Sequence, residues 1–429
     1  MDASVKKQTL LVTGLNGMIR VMGFFLRIMM SRFLGAEMMG IAELASSVHM
    51  LAITPLTSGL PMAISRLTAK TDPTQRTGPL AAGIALVRKV ALLLIPLFLV
   101  LSPFIARWTG DVRVLPSLWF TAPCILILGY SGVYNGFCYG IKRSYLPAVS
   151  ELTEQTLRVV FTLCLLPVLH HMTAPWLAAV PVASTMVAEI AGLGLVIAIL
   201  HQPAERQISF VKWEKPILQL AVPSTLTRLI HTLLRSITSI IIPIRLAVSG
   251  LSVSESTARL GMLNGMVLPL MMTPCIFTGA LGMVMAPRLA QSDENARQCR
   301  QLLIKLFAAG LVVSVLCTFA LAALAPVFAV MVYRLPELTS LFRAATPLCF
   351  LCAFENLTVG AITSLGLQKR AMYGALPSSL TALLITWFLT AQPFFRLHGV
   401  IIGLAVGHIF CILWNGWILL GWWQNQTVR

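Results

Sequence analysis

Hydrophobic residues in this chain come in long blocks rather than in alternation. Apolar stretches of at least about 20 residues, the length a helix needs to cross a bilayer, recur near 8–32, 41–65, 82–106, 114–140, 146–170 and 176–200. They resume near 216–244, 257–286, 303–332, 340–366, 372–394 and 398–423. The pattern predicts an all-α membrane protein of about twelve transmembrane helices. A membrane β-barrel would require period-two alternation instead. The first stretch is too long and too rich in arginine for a cleaved signal peptide and reads as a retained span. The longest hydrophilic connection, His201 to Lys215, divides the chain into 1–205 and 206–429, with six helices each.

Composition supports a membrane location. Of 429 residues, 57% are hydrophobic and 11% charged, and the mean hydropathy is +0.84. A soluble domain is about a quarter charged, and disorder is excluded because this much apolar surface does not stay solvated. The formal charge of +17 would suggest nucleic acid on a soluble protein. Here Lys and Arg sort by loop instead: 17 fall on the side of Lys6 and Lys7, 8 on the other, and 7 within the spans. That bias predicts cytoplasmic termini, a multi-pass protein of a bacterial plasma membrane, and no nucleic-acid partner. Nine dispersed cysteines, with one CxxC at Cys349–Cys352 and no second pair, read as core residues rather than a zinc site.

A weak internal repeat supports the division. Arg20 and Arg27 open one half, Arg228 and Arg235 the other, each pair seven residues apart. Second helices end alike, in Ala-Ile-Ser-Arg66-Leu and Met-Ala-Pro-Arg288-Leu. Repeats in the same order predict two like-oriented bundles, with a cavity between them suited to alternating access. A seven-residue step is two helical turns, so each arginine pair shares a face, and His231 lies on the second stripe. An arginine at mid-bilayer costs at least about 2.5 kcal/mol, so a cavity-lining role is the default, with snorkelling of Arg27 and Arg235 the alternative. Span five carries Glu151, Glu154 and Arg158 on one face, where Glu154 and Arg158 are spaced for an i, i+4 ion pair. Glu189 and Glu355 are lone acids deep in spans six and ten, and with Glu154 they are candidates for Na+ or H+ coupling.

A basic cavity calls for an anion. Guanidinium forks bind phosphate oxygens bidentately and stay charged when desolvated, so Arg20, Arg27, Arg158, Arg228, Arg235 and His231 are the candidate substrate-binding residues for a pyrophosphate-like group. The sequence holds no Walker-type loop, acidic metal pair or Ser/His/Asp set. No catalytic residue, metal or cofactor is expected.

Several motifs resemble one family. Gly23-Phe-Phe-Leu-Arg27-Ile-Met-Met-Ser-Arg32-Phe-Leu-Gly35-Ala-Glu37-Met-Met-Gly40 is similar to the first-helix signature of the stage V sporulation protein B group. That group belongs to the polysaccharide transporter branch of the multidrug/oligosaccharidyl-lipid/polysaccharide (MOP) exporter superfamily. Gly59-Leu-Pro-Met-Ala-Ile-Ser65-Arg66, Glu154-Gln155-Thr-Leu-Arg158, Pro223-Ser-Thr-Leu-Thr-Arg228-Leu and Ile242-Pro243-Ile-Arg245-Leu follow in the family's order. The resemblance implies a MATE/MOP-like pair of six-helix bundles. It further implies a flippase that moves an undecaprenyl-pyrophosphate-linked sugar precursor of peptidoglycan, spore cortex or polysaccharide to the outer leaflet. Arg20 and Arg27 match, by helix position, the arginines implicated in pyrophosphate binding in lipid II flippases. Membrane lipids and cell-wall synthesis enzymes are the remaining candidate partners. The alternatives are a MATE-type multidrug/cation antiporter, which needs a carboxylate-dominated cavity, and a non-transporting membrane scaffold for cell-wall synthesis.

Overall fold

The computed structural model describes residues 3–200, 211–291 and 296–427, and every regular element among them is helical. The expected boundary at 205/206 lies outside the described residues, as do Arg206, Arg429 and the side chains of Lys6, Lys7 and Arg288. Contacts divide the chain into two compact units, Met1–Ile240 and Ile241–Arg429.

The first unit begins with α1 (Ala3–Thr57), α2 (Gly59–Lys70) and α3 (Thr77–Trp108). It continues through α4 (Leu115–Gly140), α5 (Tyr145–Val168), α6 (Ala174–Leu200) and most of α7 (Val211–Val248). Although α1 is continuous in hydrogen bonding, Gly35 breaks it with φ 71° and ψ 177°, a region open essentially to glycine alone. The break reverses the chain. Arg27 and Glu43 would stand about 24 Å apart along a straight helix at about 1.5 Å per residue, yet their side chains meet at 3.1 Å. The connection expected at 33–40, between the first two spans, is therefore a single-residue corner.

Beyond the corner, the second arm of α1 runs antiparallel to α7. Ser236 Oγ donates to the Ser47 carbonyl at 2.8 Å, and the Gly59 amide donates to Thr225 Oγ1 at 3.2 Å. A Cβ at Gly59 would overlap the Ala221 carbonyl, so glycine permits this close approach. The core gathers Leu60, Ile64, Leu80, Val87, Ile125 and Phe137 from α2, α3 and α4. Leu92, Leu93, Val100 and Phe104 on α3 face outward, exposed, as they would in lipid but not in water.

The second unit holds α8 (Val253–Leu260), a π-helical stretch at Gly261–Val267, α9 (Leu268–Met271) and α10 (Pro274–Gln291). Next come α11 (Ala296–Val327), ending in a second π-helical turn at Phe328–Val332, and α12 (Leu338–Ser364). The last pair, α13 (Gln368–Thr390) and α14 (Leu397–Thr427), packs through Gly399, Gly403 and Gly407, spaced one turn apart. Cβ atoms there would overlap Leu389, Thr386 and Ala382, the small-residue contact common to membrane helices.

Each of the twelve expected segments lies on helix. Among the described residues, nine helices are long and apolar enough to cross a membrane, or ten if the pair Val253–Met271 and Pro274–Gly282, bent by 41°, is one span. The stretch Gly14–Lys70 counts once in that number, although its 57 residues exceed twice the roughly 30 Å bilayer core.

Candidate functional site

Three groups of charged side chains lie within the helical units. The first is built on the Gly35 corner. Folding α1 back brings Arg27 Nη1 to Glu43 Oε1 at 3.1 Å. Arg235 of α7 is in the same unit and makes no ion pair with that carboxylate among the described residues. Arg20 lies two turns from Arg27 and Arg228 two turns from Arg235, each on its partner's face. Both are exposed, and neither has an ion pair among the described residues. His231 is half-buried on the same α7 stripe. All five expected basic residues of α1 and α7 therefore belong to the first unit.

The second group lines a cavity of about 340 Å³ inside that unit. Glu151, Glu154, Gln155 and Arg158 from α5 face it together with Glu189 from α6 and Asn135 from α4. The i, i+4 pair expected within α5 is not made. Glu154, buried, accepts a hydrogen bond from Ser150 Oγ at 2.8 Å, while Arg158 Nη2 approaches Glu189 Oε1 at 3.6 Å. Arg158 Nη1 also donates to Gln155 Oε1 at 3.4 Å, and its buried Nε has no partner. Helix geometry explains the exchange: Ser150 is one turn before Glu154 and closer than the long Arg158 chain, which reaches α6. Gly192 makes room, since a Cβ there would overlap the Glu154 carboxylate. Three carboxylates against one guanidinium suit a proton or a cation better than an anion. Arg158 is thus set apart from the arginines of α1 and α7, none of which lines this cavity.

The third group is in the second unit. Glu355 of α12 is paired with His408 Nδ1 of α14, and His408 Nε2 contacts Cys352 Sγ at 3.2 Å. Glu355 and Glu189, read as lone acids, each have a partner on a neighbouring helix. Among the described residues no three His, Cys, Asp or Glu side chains are grouped to hold a metal ion. Cys349 and Cys352 are buried and unbridged.

Sequence reasoning passed over Glu43 and His408. The signal for both was present: each is a titratable residue within an apolar stretch, the criterion that singled out Glu189 and Glu355. Lys89, on α3, has its Nζ bonded to Glu214 of α7 at 3.0 Å.

Solved structures share this architecture. An inward closed lipid II flippase MurJ aligns over 98% of this chain and 90% of its own, with TM-score 0.78 and 13% identity. An inward-facing MATE family multidrug transporter of the MOP superfamily aligns over 94% and 95%, with TM-score 0.73 and 13% identity. The fold is that of the MOP transporters, and the protein is a multi-pass membrane protein. Stage V sporulation protein B of Bacillus subtilis (strain 168) is 23% identical over 428 residues, 95% of this chain and 82% of the relative. Residues 5–293 match the family described as polysaccharide biosynthesis protein, and the chain belongs to that family.

Proposed function

We propose that the protein flips an undecaprenyl-pyrophosphate-linked sugar, a precursor of peptidoglycan, spore cortex or polysaccharide, from the cytoplasmic to the outer leaflet of a bacterial plasma membrane. One observation carries this: the Gly35 corner folds Arg27 onto the carboxylate of Glu43, in the same unit as Arg235, with Arg20 and Arg228 two turns along the arginine-bearing faces of α1 and α7. Four guanidiniums to one carboxylate leave a positive surplus that a doubly charged pyrophosphate would neutralise, accepting hydrogen bonds in bidentate pairs. His231 adds an imidazole donor to the α7 stripe. The lipid tail stays in the bilayer and no covalent bond changes, so the work is alternating exposure of the bound head group. Twelve crossings, six in each of 1–205 and 206–429, with both termini cytoplasmic, complete the proposed arrangement. The acidic cavity at Glu154, Glu189 and Arg158 would supply H+ or Na+ coupling, with Glu355 the second candidate.

The names carried by the relatives, a stage V sporulation protein and a lipid II flippase, support this choice. The test is flipping of a fluorescent lipid-linked sugar in reconstituted vesicles. A charge-assisted hydrogen bond contributes about 1.5–3 kcal/mol. Arg20→Gln or Arg228→Gln is expected to slow flipping by about ten- to a hundredfold at unchanged folding. Full activity in both variants would overturn the assignment.

Cation antiport is the alternative, and the carboxylate-rich cavity of the first unit favours it. It predicts drug efflux that survives Arg20→Gln and Arg228→Gln and is lost in Glu189→Gln.

A further inference from the structure

A second cavity, basic rather than acidic, lies at one end of the first unit, where α2, α4 and α6 finish and α3 and α5 begin. Successive antiparallel helices bring those termini to one face. The Glu37–Arg113–Asp111 network, between the Gly35 corner and the start of α4, belongs to the opposite face. The cavity encloses about 250 Å³ and presents Arg76, Thr77 and Arg143 over a floor of Phe137, Ile141 and Leu200. Among the described residues no carboxylate lines it.

Arg76 is held through its side chain and Arg143 through its backbone. Arg76 Nε donates to the Thr71 carbonyl at 3.3 Å, which fixes the root of the guanidinium, and among the described residues its two terminal nitrogens have no hydrogen-bond partner. Arg143 follows Lys142, whose φ of 62° puts a non-glycine residue in the left-handed region at the end of α4. That turn brings the Arg143 amide back onto the Cys138 carbonyl at 2.9 Å. Neither arginine has an ion pair among the described residues. Two guanidiniums lining one small cavity with no counter-charge among the described residues repel each other.

We propose that this cavity binds the phosphate of an anionic membrane lipid, independently of what the arginines near Glu43 carry. The planar forks of Arg76 and Arg143 would take the phosphate oxygens, and the Thr77 hydroxyl would donate a third bond. The apolar floor meets the glycerol end of the lipid. Helix ends are where the head-group layer lies, and basic pockets between membrane helices are the recognised form of such sites. The lipid anchors this face and is not transported.

The test is native mass spectrometry of the purified full chain titrated with phosphatidylglycerol. At about fivefold per surface arginine, the Arg76→Gln/Arg143→Gln double variant is expected to hold the lipid about twenty-five-fold more weakly than wild type. Lys70→Gln, an exposed charge at the end of α2 that does not line the cavity, is expected to retain it. Equal retention in the double variant, or an equal loss in Lys70→Gln, would overturn the proposal. The pair Arg76→Lys/Arg143→Lys keeps charge and stem but loses the fork. Severalfold weaker retention is expected from it, and wild-type retention would refute guanidinium recognition even if the glutamine pair unfolds. A parallel arm adds inorganic phosphate. Displacement of the lipid by phosphate alone at matched concentration would assign the site to free phosphate and defeat the lipid assignment.

Discussion

Gly35→Ala isolates the corner on which the arginine site depends. No atom lies within 4 Å of a Cβ at this position, so the substitution meets no steric obstacle and acts through the backbone alone. Alanine at φ 71°, ψ 177° costs about 1–3 kcal/mol. The same alanine favours a continuous helix by about 1 kcal/mol over glycine. Together these bias α1 towards straightening, which would carry Arg27 about 24 Å from Glu43, beyond the reach of any side chain. Gly17→Ala is the control, because Gly17 is helical, also has nothing within 4 Å, and is expected to be neutral or stabilising by up to about 1 kcal/mol. The assay is a double-mutant cycle on thermal unfolding, with Arg27→Gln and Glu43→Gln made in wild-type, Gly17→Ala and Gly35→Ala backgrounds. A half-exposed pair of this kind couples by about 0.5–1 kcal/mol. Coupling should persist in the first two backgrounds and vanish in Gly35→Ala. Undiminished coupling and unchanged stability in Gly35→Ala would refute the account of the corner.

Three further outcomes are expected. Gly192→Ala should destabilise by about 1–3 kcal/mol, because the added Cβ displaces the Glu154 carboxylate, and Glu154→Ala should relieve most of that cost in thermal melts. Glu189→Leu should be more damaging alone than with Arg158→Met, by about 1–3 kcal/mol, since the single change leaves a guanidinium with a buried, unpartnered Nε. His408→Phe should likewise cost about 1–3 kcal/mol by stranding Glu355, and Glu355→Leu in the same chain should recover part of it in denaturant titrations.

Helix positions were legible because a bilayer span has a length requirement that hydropathy meets directly, and all twelve segments lie on helix. The Gly35 corner was legible only as a boundary between the first two expected spans, at 33–40; that a single residue makes it was not, since the reversal depends on φ alone. The π-helical stretches at Gly261–Val267 and Phe328–Val332 are equally silent, because one extra residue per turn does not change composition. Among the charges, spacing within a helix could be read but partners on other helices could not. Arg20 with Arg27, and Arg228 with Arg235, share faces as their seven-residue steps require. Which carboxylate answers each arginine depends on register between helices, so Arg158 turns to Glu189 rather than Glu154, and Glu43 takes Arg27. Glu355 with His408 is a pairing of the same kind, made across α12 and α14.

Binding of the head group is the central claim, and native mass spectrometry of the lipids that co-purify with the protein tests it most directly. Wild-type protein is expected to retain a lipid-linked pyrophosphate sugar, and the Arg20→Gln/Arg228→Gln variant, folded to the same melting temperature, is expected to have lost it. Retention of that lipid at wild-type occupancy in the arginine variant would contradict the account.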